Sequence, residues 1–180
     1  MYGIVTLLDD KHTARVEALW EELQKSCGLT CIQMAPLPHF SWHIAEEYDF
    51  DRLEDKLAHI AKKTKPFTIH TAGMGLFTGE KPVVYIQIVK DRRLLDLHQH
   101  IWEEIQPISS GINLLYAPDQ WMPHITLANQ DVNDDILPCI FSTLVWRAFT
   151  WEIEVNCFAL GFQNEDTPGE ITKTFPLNPS

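Results

Sequence analysis

A five-residue pattern of proline, histidine, apolar, hydroxyl and apolar residues stands twice in this chain. It reads Pro38-His39-Phe40-Ser41-Trp42 and again Pro123-His124-Ile125-Thr126-Leu127. A repeat in matching surroundings constrains a fold tightly, because each copy must find the same local environment. Each copy follows a strand–helix unit and leads into an acidic stretch and a helix. A strand opening Phe-Thr comes next, Phe67-Thr68 in the first half and Phe149-Thr150 in the second. Two copies do not make a solenoid, so the repeat implies a folded pair of similar halves.

Apolar periodicity supplies the elements between these landmarks. Strands are expected over Tyr2–Leu8, Leu37–Ala45, Phe67–Phe77, Val83–Val89, Trp121–Ala128 and, as one long element, Phe149–Phe162. Helices are expected over His12–Ser26, Phe50–Lys63, Arg92–Gln106 and Asp134–Val145. The first has Asp9 or Asp10 near its start and Gly28 at its end, and the second has Asp49 as its cap. The chain is 45% hydrophobic and 11% aromatic, enough for a sizeable core in one domain. That domain is read as residues 1–162, followed by a tail, 163–180, with a turn at Thr167-Pro168-Gly169, at most one short strand and loose final residues.

In a strand, side chains at i and i+2 share a face. His39 and Ser41 therefore point one way, as do His124 and Thr126, while Phe40, Trp42, Ile125 and Leu127 face a core. Two halves packed about an approximate two-fold axis bring two imidazoles and two hydroxyls to one cleft. Such a set suits in-line displacement at phosphorus. One neutral imidazole takes a proton from water, and the other, protonated, supplies one to the departing oxygen. The hydroxyls of Ser41 and Thr126 donate to the non-bridging oxygens, where charge builds. A lone His-x-Ser is common and usually a structural polar group; the second copy in the same setting is what carries the chemistry.

The paired motifs resemble the signature of the 2H phosphoesterase superfamily, and more closely its 2′-5′ RNA ligase / cyclic phosphodiesterase branch. The interval from 39 to 124 suits that branch, and Ala72–Phe77 followed by Val83–Ile86 is similar to its middle strand pair. The resemblance covers roughly residues 2–162. It implies an α+β, bilobal, duplicated fold with two antiparallel sheets lining a central cleft and helices outside. The implied activity is metal-independent opening of a 2′,3′-cyclic phosphate or cleavage of a 2′-5′ phosphodiester, with 2′-5′ joining of RNA ends as the reverse direction. His39 and His124 are then the catalytic pair, Ser41 and Thr126 the phosphate-binding pair, and no cofactor or metal is required.

Other residues are candidates for substrate contact. His43, two residues beyond Ser41, is expected on the same cleft face. Tyr116, Trp121 and Phe77 are placed where aromatic rings can stack on a base, with packing as the commoner use. His98 and His100 face different directions on their helix and are expected at the surface or half-buried. The acidic run Asp131–Asp135 lacks the glycine and terminal glutamate of a calcium loop.

A formal charge of −11, from 14 basic and 25 acidic residues, excludes the basic stripe that long duplex nucleic acid requires. A small nucleotide or an RNA 3′-end remains as partner. No apolar run reaches the roughly 20 residues of a membrane span, and no basic leader opens the chain. Cys27, Cys31, Cys139 and Cys157 are too scattered for a disulfide framework, so reduced thiols in a cytoplasm are expected. Two other readings compete: a nucleotide- or RNA-end-binding module without turnover, and a metal hydrolase built on the histidines.

Overall fold

Capping and apolar stripes fix the long helices. Asp9 accepts a hydrogen bond from the His12 amide and starts α1 (Asp10–Cys27), which buries Val16, Leu19, Trp20 and Leu23. Gly28, at φ 76°, closes it with its N–H on the Gln24 carbonyl. Asp49 caps α2 (Phe50–Lys63), and Asp91 caps α3 (Arg92–Ile105). A short α4 (Leu137–Leu144) completes the set. The computed structural model describes residues 1–31, 37–162 and 169–179; the turn expected at Thr167-Pro168-Gly169 falls largely outside them.

The strands are β1 (Tyr2–Leu7), β2 (His39–Tyr48), β3 (Phe67–Phe77), β4 (Val83–Ile88), β5 (Ser109–Ile112), β6 (His124–Ala128), β7 (Glu152–Val155), β8 (Cys157–Phe162) and β9 (Glu170–Pro176). They form two antiparallel sheets, ordered β5-β2-β1-β8-β9 and β6-β4-β3-β7. The fold is α+β and duplicated, but the halves interlock. Each sheet pairs strands from the two halves at its middle: β8 joins β1, and β3 joins β4. The helices interlock too, since α1 packs on β6 and α3 on β2.

Four expectations are corrected. The long strand over Phe149–Phe162 is two strands, because the chain leaves β7 in one sheet at Asn156 and continues as β8 in the other. Burial continues through the crossing, with Ile153, Val155, Phe158 and Leu160 all in the core, so hydrophobicity carries no sign of the break. The tail does carry one short strand, β9 at the edge of the five-stranded sheet, but its end is held rather than loose, since Phe175 and Leu177 are buried. Cys27 and Cys139 are joined in a disulfide, against the expected four reduced thiols, because α1 and α4 pack side by side. His98 is buried, at 1% exposure, where a surface or half-buried position was expected.

Candidate active site at the paired histidine motifs

The strand ladders show why the two motifs behave alike. In β2, His39 faces Leu7 and Ser41 faces Val5, but the next partner, Ile4, faces His43, leaving Trp42 as an extra residue. In β6, His124 faces Gln87 and Thr126 faces Tyr85, but Val84 faces Ala128, leaving Leu127 as the extra residue. Each motif thus carries a β-bulge immediately after its hydroxyl. Before the bulge, alternation holds and the histidine and hydroxyl side chains are half-exposed on one face. After it, two consecutive side chains turn inward: Trp42 and His43, Leu127 and Ala128.

That bulge removes His43 from the cleft face on which i, i+2 spacing had put it. His43 is fully buried, its Nδ1 2.8 Å from the Tyr48 hydroxyl. Burial, with His98 nearby, lowers its pKa to about 4, so the ring is a neutral core group.

The prolines set the rings. A residue before proline is held extended, and in both motifs its carbonyl meets the histidine. His39 Nδ1 lies 2.7 Å from the Leu37 carbonyl, and His124 Nδ1 lies 2.7 Å from the Met122 carbonyl. A carbonyl only accepts, so Nδ1 carries the proton and Nε2 is the free nitrogen on both rings. The proline carbonyls are matched as well, Pro38 accepting from Leu8 N–H and Pro123 from Ile88 N–H. Burial holds both imidazoles below the ordinary value near 6.5, against the pull of these carbonyls, and His124 also feels the charge of His39. The two rings thus lie within electrostatic reach of each other.

Bulges leave backbone carbonyls outside the ladder, and buried polar atoms need partners. Ring N–H groups from the opposite half supply them. Trp121 Nε1 donates to the Ser41 carbonyl at 2.9 Å, and Trp20 Nε1 donates to the Thr126 carbonyl at 3.1 Å. His98 Nε2 lies 3.1 Å from the Trp42 carbonyl. Trp121 is thereby taken from the list of base-stacking rings. It is 1% exposed, with His98 stacked on it at 3.8 Å and Trp42 at 5.5 Å, so neither face is open to a ligand. Trp20 and His98 escaped sequence reasoning because their task is a cross-half contact that no local pattern announces.

Phe77 and Tyr116 do lie at the site. Phe77 meets His124 edge-on at 4.9 Å and stacks on Tyr85 at 4.1 Å, and Tyr85 sits 5.2 Å from His124. Tyr116 lies near Ser41 and lines the hollow beside His124. Tyr85 is the wall residue sequence reasoning missed; its position facing Thr126 in the ladder was the available signal. Gly75 makes room for it, since a Cβ there would come 2.4 Å from the Tyr85 ring. Two hollows flank the histidines. One, of about 80 Å³, is lined by His39 and Ser41 with Val5, Phe162 and Ile171. The other, of about 530 Å³, is lined by His124 with Phe77, Leu115, Tyr116 and Met122.

Fold and site together define a duplicated α+β protein with one anchored histidine and one hydroxyl from each half. The chain belongs to the 2′-5′ RNA ligase superfamily, whose family model matches residues 8–161. Among similar sequences, a Bacillus anthracis protein that carries the name phosphoesterase is 27% identical over 143 residues, 78% of each chain. A similarly named Bacillus cytotoxicus protein is 27% identical over 133 residues, 74% of this chain and 73% of that one. Among solved structures, TT0787 of Thermus thermophilus superposes with TM-score 0.64 at 18% identity, and E. coli LigT complexed with 3′-AMP with TM-score 0.56 at 17% identity. Each pairing covers 98% of this chain and 97% of the other, and both show the shared fold. No described helix is long and apolar enough to cross a membrane.

Proposed function

We propose that this protein is a metal-independent phosphodiesterase that hydrolyses 2′,3′-cyclic phosphates or 2′-5′ phosphodiesters of nucleotides or RNA ends. The supporting observation is the matched pair of Nδ1-anchored histidines, each with a free Nε2 and a hydroxyl two residues on. Nε2 of one neutral imidazole accepts a proton as water attacks phosphorus. Nε2–H of the other, protonated, ring passes its proton to the oxygen that leaves as the P–O bond breaks. The total proton count on the pair is unchanged after one turnover. Ser41 and Thr126 hydroxyls donate to the non-bridging oxygens as charge gathers there. Run backwards, the same groups join a 2′-hydroxyl to a phosphate.

The 3′-AMP in the LigT complex supports a small nucleotide as the ligand. A cytoplasmic setting suits an enzyme of nucleotide ends.

The test is product analysis on a panel of 2′,3′-cyclic nucleotides and 2′-5′ dinucleotides, run with and without chelator. Activity is expected to survive the chelator. His39→Ala and His124→Ala should each lower kcat by at least ~100-fold, the lower range for positioned acid–base groups. Tight binding without product would establish the binding module instead, and an unchanged rate in His39→Ala would remove that residue from the mechanism.

A further inference from the structure

The larger hollow beside His124 is walled by uncharged side chains: Phe77, Leu115, Tyr116 and Met122, with Thr78 and Gln120 adding polar edges. No lysine or arginine is among its lining residues. The rim carries negative charge, because exposed Asp119 holds the Gln120 amide through its carboxylate at 3.2 Å. Beyond Thr78, the strand connection offers exposed Glu80 and Lys81, whose charges offset each other. Several cations are engaged elsewhere, Lys56 with Glu104, Lys173 with Glu54, Arg147 with Glu22 and Arg92 with Asp96, while Lys90 donates to the Trp121 carbonyl at 3.2 Å. Segments 32–36 and 163–168 contain no basic residue in the sequence.

An organic group entering the larger hollow meets aromatic and aliphatic surface in a protein of net charge −11. A nucleoside gains from that surface by stacking and apolar burial. A terminal phosphate on the same nucleoside gains no cation from the lining and must be desolvated against a repelling field. We propose that this pocket selects against charge: it takes a nucleoside without a 5′-phosphate. The substrate is then a phosphodiester monoanion between uncharged groups, such as a nucleoside 2′,3′-cyclic phosphate. This rests on the hydrolytic reading above and narrows it, setting aside 5′-phosphorylated oligonucleotides and pyrophosphate-bearing cyclic phosphates.

The deciding experiment compares adenosine 2′,3′-cyclic phosphate with its 5′-phosphorylated counterpart on the full chain, reading both calorimetric Kd and kcat/KM. The 5′-phosphate is expected to weaken both by about tenfold or more, with the gap narrowing as salt screens the protein's field. Leu115→Lys, at a side chain 71% exposed, should narrow it further by supplying a cation to the wall. Equal or tighter binding of the 5′-phosphorylated compound would overturn the proposal, as would binding of neither compound at millimolar concentration. Turnover of both with equal efficiency would overturn it while upholding hydrolysis. An affinity gap without turnover of either would uphold charge selection and overturn hydrolysis.

Discussion

The bond from each histidine Nδ1 to a carbonyl two residues upstream leaves Nε2 as the open nitrogen, and burial keeps both rings neutral to lower pH. Both rings are held below the ordinary histidine value by desolvation, His124 further by His39. A base must be neutral, above its pKa, and an acid protonated, below its own. The product of the two is a bell centred between two lowered values. The kcat/KM profile, which reports the free enzyme, is therefore expected to peak on the acid side of pH 6.5; a maximum above about pH 8 would contradict the assignment. Steric reach at the site is testable through Gly75. A Cβ there collides with Tyr85, which touches His124, so Gly75→Ala must displace the ring that walls the histidine. About a tenfold loss of kcat/KM is expected from misplacement of this kind, with a urea midpoint near that of the unchanged protein. Full activity would mean that Tyr85 does not orient His124.

At the scale of elements, the strand bulges are the devices that make a site of these motifs, and each is completed from the other half. Trp121→Phe keeps the packed ring but leaves the Ser41 carbonyl without its donor. The expected cost is about 1–3 kcal/mol of stability, the range for a buried polar group left unpaired, read as a lowered urea midpoint. Trp20→Phe should cost a similar amount through the Thr126 carbonyl, and a neutral effect of both would show that these carbonyls find water. The sequence disclosed α1, α2 and α3 almost to the residue, because their apolar stripes and aspartate caps are local signals. It also marked His39, Ser41, His124 and Thr126 as a matched set, because repetition is visible without a structure, and the two copies do share the same bulge and ring anchor. It concealed the bulges at Trp42 and Leu127, since an extra strand residue leaves hydrophobicity unchanged while reversing which side chains face inward. His43 was misplaced for that reason, and Trp121 because the carbonyl it serves belongs to the other half. The exchange of β3 and β8 between sheets and the meeting of Cys27 with Cys139 depend on contacts between distant segments, which periodicity does not encode.

For the whole molecule, the interlocking that builds the site also places titratable groups in its core. His98, from α3, bridges the halves by bonding the Trp42 carbonyl and stacking on Trp121. Burial lowers His98 to about 4, outweighing the carbonyls of Trp42 and Tyr116, with Lys90 lowering it further. His43, buried with Nε2 lacking a partner, is likewise held at about 4. In the unfolded chain both rings titrate near 6.5. Between pH 6.5 and 4 the unfolded state binds more protons than the native one, so stability falls as pH falls. It is complete above pH 6.5 and diminishes toward the folded values near 4. The slope corresponds to about 1.4 kcal/mol per pH unit for each ring within that window. Urea midpoints measured from about pH 7.5 to about pH 4.5 should therefore decline steeply, and His98→Gln should flatten the decline even if it lowers the starting value. A wild-type midpoint that held constant over that range would show that the cores of the two halves do not keep these imidazoles neutral. Activity and stability then pull in opposite directions. Acid conditions that protonate the general acid also charge the bridge between halves, and the useful working range is where the first has begun and the second has not.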